Sequence, residues 1–366
     1  MARSLELARR GAALAHPNPL VGAVLVKNGR FIGEGFHVYE KFDHAEIVAL
    51  KQAGEKARGA TLYVTLEPCC TTGRTGPCTK AIIAAGVKRV VAAMHDPNPK
   101  VAGRGFAELK RAGIEVTVGV EEKLACELNE DFAKWIRTGI PFVTLKSALT
   151  LDGKIAAGPG ASTSITGAAA REAVQEMRHA ADAILTGIGT VLADNPRLTD
   201  RSGKARRRKL LRVVLDSRLR LPLRSNLVES ADGDLLVFTS QRADLPKARA
   251  LARAGVEVLH APSRTAGRID LRAVLRELGK RQILHVLLEA GAELNGAALK
   301  SDLVDKVALF YAPRIMGPRG VPMAGNLSSP MSILPVITAV KLYEPDFLVE
   351  GYFHDVYRNH RSRRKN

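Results

Sequence analysis

The chain has 366 residues, of which 46% are hydrophobic and 25% charged, with a formal net charge of +18 and a mean hydropathy of −0.03. This composition excludes a mainly disordered chain, and no run reaches the roughly 18 apolar residues of a membrane helix. At roughly 100–200 residues per domain the length suggests two domains, and an N-terminus broken by Arg3, Glu6, Arg9 and Arg10 has no signal-peptide core, so a cytoplasmic protein is expected.

In chain order, Val21–Val26 reads as a strand, Asn28-Gly29 as a hairpin turn and Arg30–His37 as the return strand. Glu46–Ala53 reads as a helix closed by Gly54, Thr61–Leu66 as a strand, and Thr79–Ala85 as a helix closed by Gly86. Lys88–Met94 and Ile114–Val120 follow as strands around a helix at Gly105–Ala112, and Glu121–Ile136 reads as one long helix. This alternation favours a sheet covered by helices on both faces. Thr138-Gly139-Ile140-Pro141 breaks the pattern and marks a boundary, giving domains 1–140 and 141–366. A second αβ series begins with a strand at Phe142–Ala148 and a helix at Gly167–Ala181. Further strands are expected at Ala183–Thr186, Leu211–Leu215, Asp234–Thr239, Val256–His260, Ile283–Glu289 and Lys306–Ala312. Helices are expected at Leu245–Ala254, Leu271–Lys280 and Ala292–Ser301, and Ile337–His354 reads as two strands around Glu344-Pro345-Asp346.

Cys69, Cys70 and Cys78 fall within ten positions of one another, too few and too clustered for a disulfide framework, so they read as a metal or redox site. His44-Ala45-Glu46 opens one predicted helix, and Pro68-Cys69 and Pro77-Cys78 flank the turn before the next. One imidazole and two thiolates suit Zn2+ with a fourth position open to water, and Glu46 is spaced to carry a proton beside it. His-x-Glu followed by Pro-Cys and a further Cys is the signature of zinc deaminases. Cys70 is the extra thiol, and Cys126 reads as an inert core residue. The runs at 201–212 and 358–366 hold seven and five basic residues without an acid, which is 12 of the 18 net charges. Neither is interleaved with aromatic residues, so both read as solvated segments and no nucleic acid is expected.

The segments 16–24 (HPNPLVGAV) and 33–37 (GEGFH), with HAE at 44–46, EPC at 67–69, GRT at 73–75, PC at 77–78 and DPNP at 96–99, together resemble the bacterial bifunctional riboflavin-biosynthesis deaminase/reductase family. In the second half the resemblance rests on LK at 145–146, LDGK at 151–154, SITG at 164–167, DAI at 182–184, GIGTV at 187–191, DNPRLT at 194–199 and LEAG at 288–291. It implies an α/β fold with a cytidine-deaminase-like α/β/α domain followed by a dihydrofolate-reductase-like α/β domain. The first would deaminate 2,5-diamino-6-(5-phosphoribosylamino)pyrimidin-4(3H)-one, and the second would reduce the ribosyl group of the resulting uracil to ribityl with NADPH.

Carried over by motif, His44, Cys69 and Cys78 would hold zinc, Glu46 would shuttle protons, and Asn18 and His37 would lie near the substrate. In the reductase, Lys146, Ser162, Arg178, Leu198, Arg201 and Glu289 would be substrate positions. Ala148, Ser164, Thr166, Thr190, Asp194, Ser217 and the segment Gly291, Ala292, Glu293, Leu294, Asn295, Gly296 and Ala297 would be cofactor positions. The expected partners are phosphorylated ribosylaminopyrimidines, with no membrane; a homo-oligomer is left open. Three positions depart from the family's pattern: Thr71 in place of a histidine, Ser164 in place of a tryptophan, and Ala290 in place of a glycine. Two rivals differ in kind. A tRNA adenosine deaminase shares His-x-Glu but is a short single domain with Pro-Cys-x-x-Cys, and a non-catalytic protein on a decayed enzyme would not need His44, Glu46, Cys69 and Cys78 together.

Overall fold

Asn28 and Gly29 both take positive φ (51° and 73°), which a two-residue type I′ turn requires, and they join β1 (Gly22–Lys27) to β2 (Arg30–Phe36). The structure, a computed structural model, describes residues 1–161, 164–240, 244–263, 267–325 and 335–357. The chain divides into two compact units. One comprises Met1–Gly139 with Ala205–Arg208 and Val356–Asn366, and the other comprises Ile140–Lys204 with Lys209–Asp355.

In the first unit β3 (Thr61–Val64), β4 (Arg89–Ala92) and β5 (Glu115–Val118) complete a five-stranded sheet in the order β2-β1-β3-β4-β5. β1 is antiparallel to both of its neighbours, whereas β3, β4 and β5 run parallel. Two apolar clusters cover the sheet. One gathers Leu25, Leu62, Val90 and Ala92 with Ala49 of α2 (Ala45–Ala53), Ile82 of α3 (Cys78–Ala84) and Leu109 of α4 (Arg104–Arg111). The other gathers Leu66, Ala93 and Met94 with Leu5 and Ala125.

Two helices differ from the sequence reading. Residues Ala2–Arg9 form a helix whose buried side is Ser4, Leu5, Leu7 and Ala8; its charges interrupt the apolar pattern and conceal it. A Cβ on Gly22 would meet Ser4 O at 2.0 Å, so glycine lets that helix lie against β1. The long helix expected over Glu121–Ile136 is two, Glu122–Leu128 and Glu130–Thr138. The break falls at fully buried Asn129, whose Nδ2 donates to Leu20 O (3.0 Å) and whose Oδ1 accepts from Leu20 N (2.7 Å). A side chain that satisfies a distant backbone in this way fixes its own backbone at φ −119°, outside the helical range.

The second unit is built on a nine-stranded sheet. Its strands are β6 (Phe142–Thr150), β8 (Ala183–Gly187), β9 (Leu211–Leu215), β10 (Leu235–Thr239), β11 (Glu257–His260), β12 (His285–Leu288), β13 (Lys306–Ala312), β15 (Val336–Tyr343) and β16 (Asp346–Tyr352), while β7 (Lys154–Ala156) pairs separately with β14 (Val321–Pro322). The order is β11-β10-β9-β8-β12-β6-β13-β16-β15, parallel from β11 to β13 and antiparallel from there to β15. Near-continuous apolar runs such as Leu235–Phe238 are what a parallel sheet buried on both faces needs. Short helices at Ile188–Asp194 and Asn226–Glu229, absent from the sequence reading, follow strand ends.

The basic run at 201–212 is not a uniformly solvated loop. Arg212 lies on β9 with 1% of its surface exposed, paired to Asp234 at 2.6 Å and donating to Arg197 O and Ser230. Lys204 pairs with Glu176 and Lys209 with Asp232. The acids lie outside the run in sequence, so reading it alone overstates its free charge. The basic tail from Arg358, and with it any role for that run, falls outside the described residues.

Candidate active sites

His44 sits at the N-cap of α2 in an extended conformation (ψ 161°), and Glu46 occupies that helix's first turn. Cys69 follows β3, and Cys78 is the first residue of α3. His44 Nδ1 lies 3.5 Å from Cys69 Sγ and 3.3 Å from Cys78 Sγ, and the three donor atoms are all within 4.8 Å of one another. A tetrahedral zinc with Zn–N and Zn–S bonds of about 2.0 and 2.3 Å holds its nitrogen and sulfur ligands about 3.5 Å apart, so the donor set fits the ion. Cys70 is not in the group. The Cys78 backbone N–H donates to Cys69 Sγ at 3.4 Å, a contact that favours thiolate. A hydrogen bond from the Cys78 thiol, opposed by burial, holds Cys69 well below the usual thiol range, and His44 acts in the same direction; the same proton-sharing pushes Cys78 up. Glu46 is buried, and that burial, followed by the Cys69 charge, raises its carboxyl to about 7.

Asn18 and His37 come together beside this centre, with Asn18 Nδ2 3.0 Å from His37 Nε2. His37 Nδ1 faces Asp43 O at 2.9 Å, and its ring packs edge-on to His44 with centroids 5.1 Å apart. Burial lowers its pKa. Thr71 is exposed.

Sequence reasoning assigned no role to Glu67, although its motif was visible. Its fully buried carboxylate accepts four backbone N–H groups: Asp96 (3.2 Å), Gly103 (2.9 Å), Gly105 (2.9 Å) and Phe106 (3.3 Å). It therefore ties the 96–106 segment to the strand end that carries Cys69. Arg74, in the GRT segment, has no role assigned by the sequence; its guanidinium lies 4.1 Å over the rings of both Tyr39 and Phe42.

In the second unit Lys146 on β6, Glu289 at the end of β12 and Arg178 on the helix Ala168–Ala180 meet. Lys146 Nζ donates to Glu289 Oε2 at 3.1 Å, Arg178 Nε to Oε1 at 2.7 Å, and Arg178 Nη2 to Oε2 at 3.1 Å. Burial works to raise Glu289, but the two cations overcome it and hold the carboxyl at about 2. Arg178 also donates to Thr199 O (3.2 Å). Leu198 is buried in the core at φ 52°, and exposed Arg201 is held through its backbone N–H to Gln175. Ser162 lies outside the described residues.

The expected cofactor positions divide into two groups. Ser217 follows β9, Thr190 follows β8, and Gly291 precedes the helix Ala292–Lys300 after β12; these are neighbouring parallel strands, and ligands of such sheets bind off the carboxyl ends. A Cβ on Gly291 would approach only Thr190 Oγ1, at 3.7 Å, and one on Gly189 would meet nothing within 4 Å. Among the described residues the backbone at Gly189 and Gly291 is therefore open on its Cβ side, beside Thr190. Ala148 lies on β6, while Ser164, Asp194 and Glu293 are exposed and Thr166 is half-buried. By contrast, Asn295 is fully buried and donates to Ala290 O and Met323 O, and a Cβ on Gly296 would meet Gly325 O at 2.0 Å. Those two residues secure the helix against the 323–325 segment. Leu294 packs on the core, Ala292 O accepts from Gly325 N, and Ala297 is half-buried.

Residues 1–94 match the family model for the cytidine and deoxycytidylate deaminase zinc-binding region, and residues 141–342 match the RibD C-terminal domain. Fold, zinc donor set and matches together define a two-activity enzyme, a zinc-binding deaminase joined to a reductase whose domain type implies NADPH. The riboflavin biosynthesis protein RibD of Aquifex aeolicus is 44% identical over 87% of this chain and 87% of its own. A structure of Acinetobacter baumannii RibD superposes with a TM-score of 0.85, at 41% identity over 96% of this chain and 97% of that one. The Thermotoga maritima diaminohydroxyphosphoribosylaminopyrimidine deaminase/5-amino-6-(5-phosphoribosylamino)uracil reductase gives 0.82, at 40% identity over 96% and 97%. The chain belongs to the RibD family of bifunctional riboflavin biosynthesis proteins. Among the described residues no helix is long and apolar enough to cross a membrane.

Proposed function

We propose that residues 1–140 hydrolyse the exocyclic amine of 2,5-diamino-6-(5-phosphoribosylamino)pyrimidin-4(3H)-one and that residues 141–366 reduce the ribosyl group of the resulting uracil to ribityl, with NADPH as reductant, in the cytoplasm. The observation that carries the reading is the His44–Cys69–Cys78 donor set with buried Glu46 two residues from its histidine. Zinc held there supplies a water of lowered pKa. Glu46 takes a proton at its carboxylate and passes it to the departing nitrogen, so that water enters and ammonia leaves. Asn18 and His37, linked at 3.0 Å, form the polar wall that receives the pyrimidine. Deep placement of Glu46 keeps bulk water from competing for the proton.

In the second unit the three charged groups sum to +1, a balance suited to an anionic phosphoribosyl substrate. Lys146 and Arg178 hold Glu289 ionised, and Lys146 Nζ is the donor placed to meet a sugar oxygen. Thr190, Ser217 and the 291–294 segment would hold the phosphates of NADPH, which would supply the hydride for the reduction. The test is an assay of the purified protein. Ammonia is expected from the diaminopyrimidine alone, and NADPH oxidation only with the deaminated product; NADPH oxidation that ignores the pyrimidine would refute the reading.

A further inference from the structure

Arg207 lies in the basic run, 161 residues beyond Glu46, in a segment (205–208) that belongs to the first compact unit. Its side chain is 12% exposed, unlike that of a solvated loop cation. The Arg207 backbone N–H donates to Ala13 O at 2.9 Å and its Nη1 to His16 O at 3.0 Å. Its Nε donates to Glu40 Oε1 at 2.7 Å, and the guanidinium lies 3.7 Å over the Tyr39 ring. These contacts seize two short segments. One, residues 13–18, ends at Asn18; the other, residues 39–41, begins two positions after His37. Asn18 and His37 are the pair joined at 3.0 Å, so Arg207 acts on them through the segments that carry them.

We propose that Arg207 is a positioning residue for deamination, clamping the 13–18 and 39–41 segments so that Asn18 and His37 keep the spacing the substrate meets. The inference rests on the deaminase reading above. The contacts also explain why the residue is arginine: one planar group donates in two directions while stacking on a ring, which an ammonium on a flexible stem cannot do at once. Arg207 thus fastens the 13–18 and 39–41 segments of the first unit from a distant part of the chain.

The test compares wild type, Arg207→Ala and Arg207→Lys in the full chain, measuring deaminase KM and kcat, zinc content, and NADPH oxidation with the deaminated substrate. A slackened pocket is expected to raise deaminase KM roughly ten- to a hundredfold in the alanine variant. The lysine variant should show a smaller rise, with zinc and NADPH oxidation as in wild type. A merely structural role would reduce the amount of active protein, and so kcat, while leaving KM in place. An unchanged KM in Arg207→Ala, or zinc lost together with both activities, would overturn the proposal. Should the alanine variant not fold, a wild-type KM in Arg207→Lys would overturn it equally. Failure of wild type to release ammonia would instead refute the deaminase reading itself.

Discussion

Three cysteines within ten positions offer two plausible thiolate pairs, and geometry separates them. Cys69 and Cys78 converge with His44 Nδ1, whereas Cys70 points elsewhere despite adjoining a ligand. A neighbour in sequence cannot turn its side chain to the same point without reversing the backbone, whereas the first residue of a helix nine positions on can. Cys78→Ala should therefore abolish stoichiometric zinc, and Cys70→Ala should retain it, as read by metal analysis of the purified variants. Full zinc in the first, or none in the second, would dismiss the assignment. Glu67 makes a different point at the same scale. A buried carboxylate with four N–H donors has nothing to gain from an amide, which can accept at only one atom, so Glu67→Gln should destabilise the first unit by about 1–3 kcal/mol in urea unfolding.

Elements set where those residues stand. The break between Glu122–Leu128 and Glu130–Thr138 exists because Asn129 closes both backbone groups of Leu20. Asn129→Ala would leave a buried donor and a buried acceptor unmet, so a loss of about 2–4 kcal/mol is expected from denaturant midpoints; a gain would show that helix continuity outweighs the clasp. In the second unit Glu289 joins β12, β6 and the helix Ala168–Ala180 through Lys146 and Arg178. Its folded carboxyl, at about 2, lies below the ordinary 4.5. A carboxylate depressed in this way stabilises the fold above its unfolded pKa and loses that contribution as pH falls from about 4.5 toward 2. Acid unfolding of Glu289→Gln should accordingly be less steep across that window than wild type, measured by circular dichroism; identical profiles would remove Glu289 from the account of acid stability.

For the molecule as a whole, much was readable because local chemistry and fold agree. Strand Lys306–Ala312 and helix Leu271–Lys280 fall where periodicity places them, and the zinc donors follow from residue types and spacing. What stayed hidden was tertiary. The helix Ala2–Arg9 carries too many charges to show its apolar side, and the break at Asn129 depends on a partner 109 residues away. Arg207 and Arg212 looked like free charge because Glu40 and Asp234 lie outside their run. Motif resemblance reached the Lys146–Glu289–Arg178 cluster, but it could not tell Gly291, which leaves open space, from Gly296, which packs against Gly325. Whether two separate sites act in sequence is tested most directly by Glu46→Gln in the full chain. The substitution keeps side-chain volume and removes a general acid–base group typically worth about 10²–10⁴-fold. With zinc bound as in wild type, ammonia release should fall by at least that factor while NADPH oxidation with the pre-deaminated pyrimidine stays at the wild-type rate. Loss of both activities in a folded, zinc-loaded variant would contradict the account and make the two sites one.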